Sequence, residues 1–284
     1  MNLYTKYFVV FFASILMLNL SSCSQQNGTN NKQAAKKTIQ VDPGMVLIPA
    51  GEFIMGSDDV DASGKSKEFG FNEPWYLNEH PKHKLYLENY LIDKYEVTNG
   101  QFKSFLMATG RYSKQELLNL IIRLQMLKNN LPVRNVTWYD ADTYCKAVGK
   151  RLPSEAEWEK AARGTEGIEY PWGNKWNPDA LNAGQGEDDV TPVGSFENGK
   201  SPFGVYDMAG NVMEWTQNWY EPYPGSTYKS PNYGNKRKVV RGGSWGGVGH
   251  YVIPHYFRVA YRYDFPPDGA YNDVGFRCAK DVLK

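Results

Sequence analysis

The sequence predicts a single α+β domain, irregular and loop-rich, on three observations. Short strand-like segments and capped helices share its first half, and regular periodicity disappears after Gly164. Tyr, Trp and Gly are abundant, at 20, 8 and 27 residues, an aromatic-cored composition rather than a helical one.

Residues 45–56 read as an apolar strand, a Pro49–Gly51 turn and a second alternating strand. Residues 84–87 and 90–92 continue the short alternation. Thr98 or Asn99 then caps a helix running to Met107, with Phe102, Phe105 and Leu106 on one face and Gly110 as its stop. Residues 117–127 carry a helical period, with Leu118, Ile121, Ile122 and Leu124 as the apolar stripe. A helix over 139–148 holds Cys145. Ser154-Glu155-Ala156-Glu157 is a capping box opening a short helix that ends at Gly164. Beyond it, short strands are expected at Val239-Val240-Arg241 and Arg258-Val259-Ala260. Loops this long in a compact domain are usually functional, or are held by something other than ladders: aromatic packing, a disulfide or bound cations. No internal repeat is visible.

The N-terminus sets an expected location. Lys6 precedes an apolar run over 7–20, too short to span a bilayer, and then Leu20-Ser21-Ser22-Cys23. Residues 1–22 therefore read as a signal peptide, and Leu-Ser-Ser-Cys resembles a lipobox with Cys23 as the lipidated new N-terminus. Ser24, rather than an acidic residue, follows the cysteine and directs the expectation to the outer membrane. Residues 23–40 are rich in Gln, Asn, Lys, Ser and Thr, too polar to offset the entropy of ordering, and read as a tether. Residues 41–284 form the globular part. The formal net charge of +1 gives no electrostatic footprint for nucleic acid.

Of three cysteines, setting Cys23 aside leaves Cys145 and Cys278. In an oxidising compartment two such thiols are best read as one disulfide, closing a loop long enough to contribute on the order of 4–5 kcal/mol. Two free buried thiols are the alternative.

Met45 through Gly56, Tyr95-Glu96-Val97-Thr98-Asn99, residues 149–159 (GKRLPSEAEWE) and Pro171-Trp172-Gly173-Asn174 occur in one order along the chain. They are followed by residues 206–215 (YDMAGNVMEW), Arg241-Gly242-Gly243-Ser244-Trp245 and Gly275-Phe276-Arg277-Cys278. As a set these motifs resemble the formylglycine-generating (sulfatase-modifying factor) family. The resemblance implies one domain of the C-type-lectin-like kind and places Cys145 and Cys278 at a family disulfide. It also implies a calcium site at Asp207, Gly210, Val212 and Glu214. Calcium takes six to eight oxygens, and two carboxylates plus carbonyls aimed inward by an irregular turn at Gly210 supply that chemistry. A turn with both carboxylates merely hydrogen-bonded is the plainer reading. A second calcium site would begin at Asn182 and Ala183, with help from Glu187, Asp188 or Asp189.

One departure is central. Active family members are copper oxidases with two cysteines just after the Gly-Gly-Ser motif, thiolates being soft ligands for Cu(I). Here the corresponding positions fall at Gly247 and near Pro254, and no cysteine is spare. Copper is therefore not expected. Ser244, His250, His255 and Arg258 remain candidates for a groove, with imidazole a possible metal ligand; His80 and His83 read as a shaped turn about Pro81. Fold does not fix function. The first expectation is a lipid-anchored envelope protein that binds a protein partner, of the kind found in gliding-motility or secretion machineries. The second is a metal-dependent oxidase or maturation enzyme on the same fold. A formylglycine-generating oxidase acting on sulfatases is the third.

Overall fold

The structure, a computed structural model, describes residues 40–110, 113–123, 126, 128–184, 189–246 and 253–282. The signal peptide, Cys23 and the tether up to residue 39 lie outside the described residues, as do Leu124, Glu187, Asp188, Gly247 and His250.

Strands β1 (Met45–Ile48) and β2 (Gly51–Met55) are consecutive in sequence but belong to different sheets. The cause is a pair of coincident breaks. Pro49 and Ala50 interrupt one side of a ribbon opposite Glu88 and Asn89, and the Asn89 side chain accepts the Ala50 N–H at 2.6 Å. On one side of the break β2 pairs with β3 (His83–Leu87); on the other β1 pairs with β4 (Tyr90–Asp93). Between β2 and β3 lie a one-turn helix, α1 (Lys65–Glu68), and a 3-10 turn at Leu77–Glu79.

Each of three longer helices opens on a complete capping box, which satisfies two orphan N–H groups reciprocally. Thr98 with Gln101 opens α2 (Asn99–Ala108), Thr137 with Asp140 opens α4 (Trp138–Ala147), and Ser154 with Glu157 opens α5 (Glu155–Arg163). The helix between the first two, α3 (Lys114–Arg123), differs from its expectation. It starts earlier than residue 117, and Leu117, Leu120 and Ile121 pack on the core while Leu118 and Ile122 are exposed. Nearly every position from 117 to 122 is apolar, so periodicity alone could not choose the face.

The second half is less irregular than expected. Strand β5 (Met213–Trp219), seven residues long, had not been foreseen. It pairs antiparallel with β6 (Lys238–Arg241) and parallel with β8 (Val274–Gly275), and β7 (Tyr263–Phe265) closes the order β7-β6-β5-β8. The strand expected at 258–260 is a correction: those residues follow a 3-10 turn at Pro254–Phe257, and the strand falls at 263–265. Pro254 at the start of that turn fixes φ and favours the turn over the ladder. Strand β9 (Ala279–Asp281) returns to pair with β4.

The main core gathers Phe102, Tyr144, Leu152, Trp215 and Phe276 around a disulfide between Cys145 and Cys278, with Cα atoms 5.7 Å apart. A second cluster, Ile48, Tyr90, Ile92, Trp158 and Val259, lies against α5. That helix buries its charges as well. Glu159 accepts from the Gly56 N–H at 2.8 Å, from Arg163 at 2.8 Å and from Arg241, all buried. Lys160 Nζ donates to the carbonyls of Pro49 and Gly51 at 2.8 and 2.9 Å, tying α5 to the β1–β2 break.

Candidate functional site

The loop from Asp207 to β5 holds an unusual concentration of left-handed backbone. Asp207, Gly210 and Asn211 have φ of 56°, 81° and 60°. A Cβ at Gly210 would stand 2.4 Å from the Asn182 carbonyl oxygen, so the loop closes only with glycine there. Backbone held in such regions costs of order 1–3 kcal/mol per residue and tends to cluster at functional sites.

That loop delivers Asp207 and Glu214 to a buried group with Glu96, from the segment before α2, and Arg277. Arg277 grips Glu214 in a two-point pair, Nε to Oε2 at 2.7 Å and Nη2 to Oε1 at 2.6 Å, and Trp158 Nε1 donates to Oε2 at 2.9 Å. Arg277 also donates to the carbonyls of Asp93 and Tyr206. Asp207 accepts the Gly194 N–H at 2.7 Å, and Glu96 accepts from Asn211 Nδ2 at 3.0 Å and the Val212 N–H at 3.3 Å. Burial, with the charges of Asp207 and Glu214, pushes the Glu96 carboxyl well above the usual range. Burial also raises Asp207 to about 6.

Three carboxylates thus face one guanidinium in a desolvated site. The excess negative charge must be met by protons or by a cation. The donors are all oxygen, which fits a hard cation such as calcium. Glu214 could contribute only the lone pairs left by Arg277 and Trp158. Among the described residues no group of three or more His, Cys, Asp or Glu side chains is arranged to hold a metal ion, so a cation here would draw on the carbonyls of Gly210 and Val212. Asn182 and Ala183 lie beside this loop. The Asn182 carbonyl accepts the Asn211 N–H at 2.8 Å, and its side chain closes its own turn through Gly184 N and the Asp189 carbonyl. Asp189 pairs with Arg134 at 2.5 Å.

The groove candidates separate. Ser244 is buried with its hydroxyl on Asp273 at 3.1 Å, on a turn where a Cβ at Gly243 would come 2.8 Å from the Phe257 ring. His255 and Arg258 instead line a half-open cavity of about 450 Å³ with Phe69, Trp75, Tyr76 and Tyr170. His255 stacks on Trp75 at 4.2 Å and 12°, with Tyr76 edge-on at 4.7 Å and Tyr261 at 5.0 Å. The Arg258 guanidinium lies 4.3 Å from the Tyr76 ring centre and pairs with buried Glu79 through both terminal nitrogens. His80 and His83 direct ring nitrogens to the carbonyls of Asp59 and Pro81, at 2.6 and 2.8 Å. They shape a turn.

His255 is 6% exposed, and burial, then the Arg258 charge, depresses its pKa to about 2. The unfolded chain takes up a proton at about 6.5 and the folded chain does not, so stability is complete above that pH and falls as pH drops through it. The expected slope is on the order of 1 kcal/mol per pH unit between about 6 and 4 relative to a His255→Phe variant, read by urea titration at each pH. Parallel pH profiles for the two proteins would refute it.

Sequence reasoning quoted Glu96 and Arg277 inside motifs without giving them a role, and it passed over Phe69, Trp75, Tyr76 and Glu169. Four aromatics between Phe69 and Tyr76 were the signal available.

Residues 30–282 match the sulfatase-modifying factor enzyme 1-like domain. The chain belongs to this family. It is 32% identical over 291 residues to the inactive C-alpha-formylglycine-generating enzyme 2 of Mus musculus, spanning 85% of this chain and 87% of that one. To the Mus musculus formylglycine-generating enzyme it is 31% identical, over 84% of this chain and 75% of that one. It is 37% identical over 259 residues to the serine/threonine-protein kinase Pkn1 of Chlamydia trachomatis, matching 84% of this chain but spanning only 38% of that protein. Among solved structures, PvdO from Pseudomonas aeruginosa superposes with a TM-score of 0.62 at 27% identity, covering 87% of this chain and all of PvdO. The α+β fold of the formylglycine-generating enzymes is therefore this chain's fold, and Cys145–Cys278 is its disulfide.

Proposed function

We propose that this member of the family is a cell-envelope lipoprotein, anchored through Cys23 at the outer membrane, that binds a protein partner and is not a formylglycine-generating oxidase. One observation carries the non-oxidase reading: no thiol is available for copper. Cys145 and Cys278 are joined to each other inside the core, and the position near the expected second copper ligand is Pro254, which has no side-chain donor. A relative whose name calls it inactive, similar over 85% of this chain, supports that reading. The anchor rests on the N-terminal sequence. The gliding-motility or secretion setting rests on architecture alone.

We further propose that calcium occupies the Asp207–Glu214 loop and stiffens it. Plasma mass spectrometry of the purified chain is expected to find about one calcium and no stoichiometric copper. Replacing Asp207 by asparagine, which leaves the buried Glu214–Arg277 pair intact, should lower the melting temperature in calcium much more than in chelator. Stoichiometric copper, or aldehyde formed on a sulfatase-derived cysteine peptide, would sink the non-oxidase reading. Equal losses in calcium and chelator would sink the calcium site.

A further inference from the structure

Residues 58–78 leave the body of the fold and return to it at one neck. The Ser57 N–H donates to the Glu79 carbonyl at 3.1 Å, and a Cβ at Gly56 would stand 2.5 Å from that same oxygen. Beyond the neck the segment is lightly held. Every residue from Lys67 to Pro74 is exposed, Phe69 and Phe71 included. Its hydrogen bonds are mostly local: Asp61 accepts the N–H groups of Lys65 and Ser66, and the Phe71 N–H donates to the Ser66 carbonyl. Toward the body, the Tyr228 hydroxyl donates to Glu73 at 2.7 Å, in an exposed position. Trp75 and Tyr76 stand between two hollows, the cavity of about 450 Å³ and a second of about 430 Å³ that reaches Tyr228, Tyr256 and Tyr261.

Where this segment does press on the body, it leaves groups unsatisfied. Trp75 lies flat on His255 and Tyr76 closes the ring edge-on, so that both His255 nitrogens and the Arg258 Nε are buried without a hydrogen-bond partner. Polar atoms buried in that way destabilise the form that buries them, and water would satisfy them. Tyr76 also holds a left-handed φ of 78°, which a bulky residue rarely adopts. Both penalties belong to the closed arrangement. We propose that residues 58–78 form a strap that lifts from the body in a small fraction of molecules, uncovering His255 and Arg258, and that acid favours the lifted form.

Acid acts through His255. In the lifted form the imidazole meets water and takes a proton near the ordinary 6.5. In the closed form burial, then the Arg258 charge, keeps it neutral down to about 2, with Asp61 opposing them. The proton therefore stabilises the lifted form below about pH 6.5, and the ratio of lifted to closed rises about tenfold for each further unit. Other groups share the space. Lys65 and Glu68 line it from the strap and Glu169 from the body, and Arg258 is paired with Glu79. Tyr76, Tyr256 and Tyr261, which ring the imidazole, are pushed up by burial and stay neutral. All of these remain when His255 is replaced by phenylalanine, so that variant isolates the imidazole. The device is independent of the anchor and of what the domain binds.

Hydrogen–deuterium exchange of the full chain, read by mass spectrometry, tests it. Helix α1 is a single turn, too short to persist once undocked, so the amides of residues 65–71 lose protection when the strap lifts. They are expected to be at least about a hundredfold less protected than those of β5, and low urea should speed β5 while leaving them nearly unchanged, since lifting exposes little surface. From pH 7.5 to 5.5 their exchange, relative to the unfolded peptide at each pH, should rise about tenfold in the parent and stay level in His255→Phe. At pH 7.5 that variant should exchange more slowly than the parent there, because its closed form buries no imidazole nitrogen. Tyr228→Phe, which cuts the tie to Glu73, should speed residues 65–71 several-fold and keep the parent's pH slope. Equal protection of the strap and β5 would overturn the proposal, since the segment would then open only with the whole fold. So would the same tenfold rise in His255→Phe, or a loss of β5 protection in that variant, which would make the imidazole a structural requirement.

Discussion

Replacing Glu159 by glutamine is expected to cost the domain about 3–5 kcal/mol, because it strips the charge from a buried pair and leaves Glu155, 3.3 Å from Arg241, as the carboxylate still facing that guanidinium. Glu159 is fully buried on α5, and both of its oxygens are engaged, one by Arg163 and the Gly56 N–H, the other by Arg241. Burial alone would raise its pKa, but the charges of Arg241 and Arg163 outweigh that and hold it below the ordinary value. Arg241 is itself committed to the carbonyls of Ala260 and Tyr261, so it cannot swing to solvent without breaking the turn before β7. Against a typical total of about 5–15 kcal/mol, such a loss would leave the variant marginal. Urea unfolding with an unchanged slope and a lower midpoint is the expected record. The exposed Glu166→Gln control should stay within about 0.5 kcal/mol of the parent. A similarly small change in Glu159→Gln would mean that the group is hydrated in solution.

The second large effect is expected from removing the disulfide. Cys145 and Cys278 are 133 residues apart, and a closed loop of that size restricts the unfolded chain by about 4–5 kcal/mol in the chain-entropy account. Both sulfurs also lie in the main core with Tyr144 and Phe276, so the Cys145→Ala, Cys278→Ala double variant loses packing as well. Its unfolding midpoint should fall far below that of the oxidised parent, and the parent under reductant should move most of the way toward it. Coincident midpoints for oxidised and reduced parent would show that the bond contributes nothing.

The two sites differ in how far the sequence revealed them. The disulfide followed from counting, since two thiols remained after Cys23, and its place followed from the family motifs. The Glu159 network did not. In Glu155-Ala156-Glu157-Trp158-Glu159-Lys160 the sequence shows a capping box and charges spread around the helix, yet all of these positions but Ala156 are buried. Their partners, Gly56, Arg241 and Arg262, come from segments remote along the chain. Charged residues are rarely buried unless paired, and pairing at that range leaves no local pattern. The aromatic cavity was hidden for the same reason: His255 was visible as a histidine, but Trp75 stacks on it across 180 residues of sequence.

By itself the sequence determined the family, the α+β class, the capping box at Ser154, the disulfide and the count of three cysteines. Each of these is written in residues close together, in a count or in an ordered set of motifs. Tertiary structure alone decided which face of α3 is buried, that residues 213–219 form an interior strand of a four-stranded sheet, and where the charges of α5 go. It alone brought Glu96, Asp207, Glu214 and Arg277 into one desolvated group and set His255 among aromatic rings without a partner for its nitrogens. The physical reason is common to all of these. Burial and electrostatic pairing depend on what arrives from elsewhere in the chain, and only the closed fold brings it there.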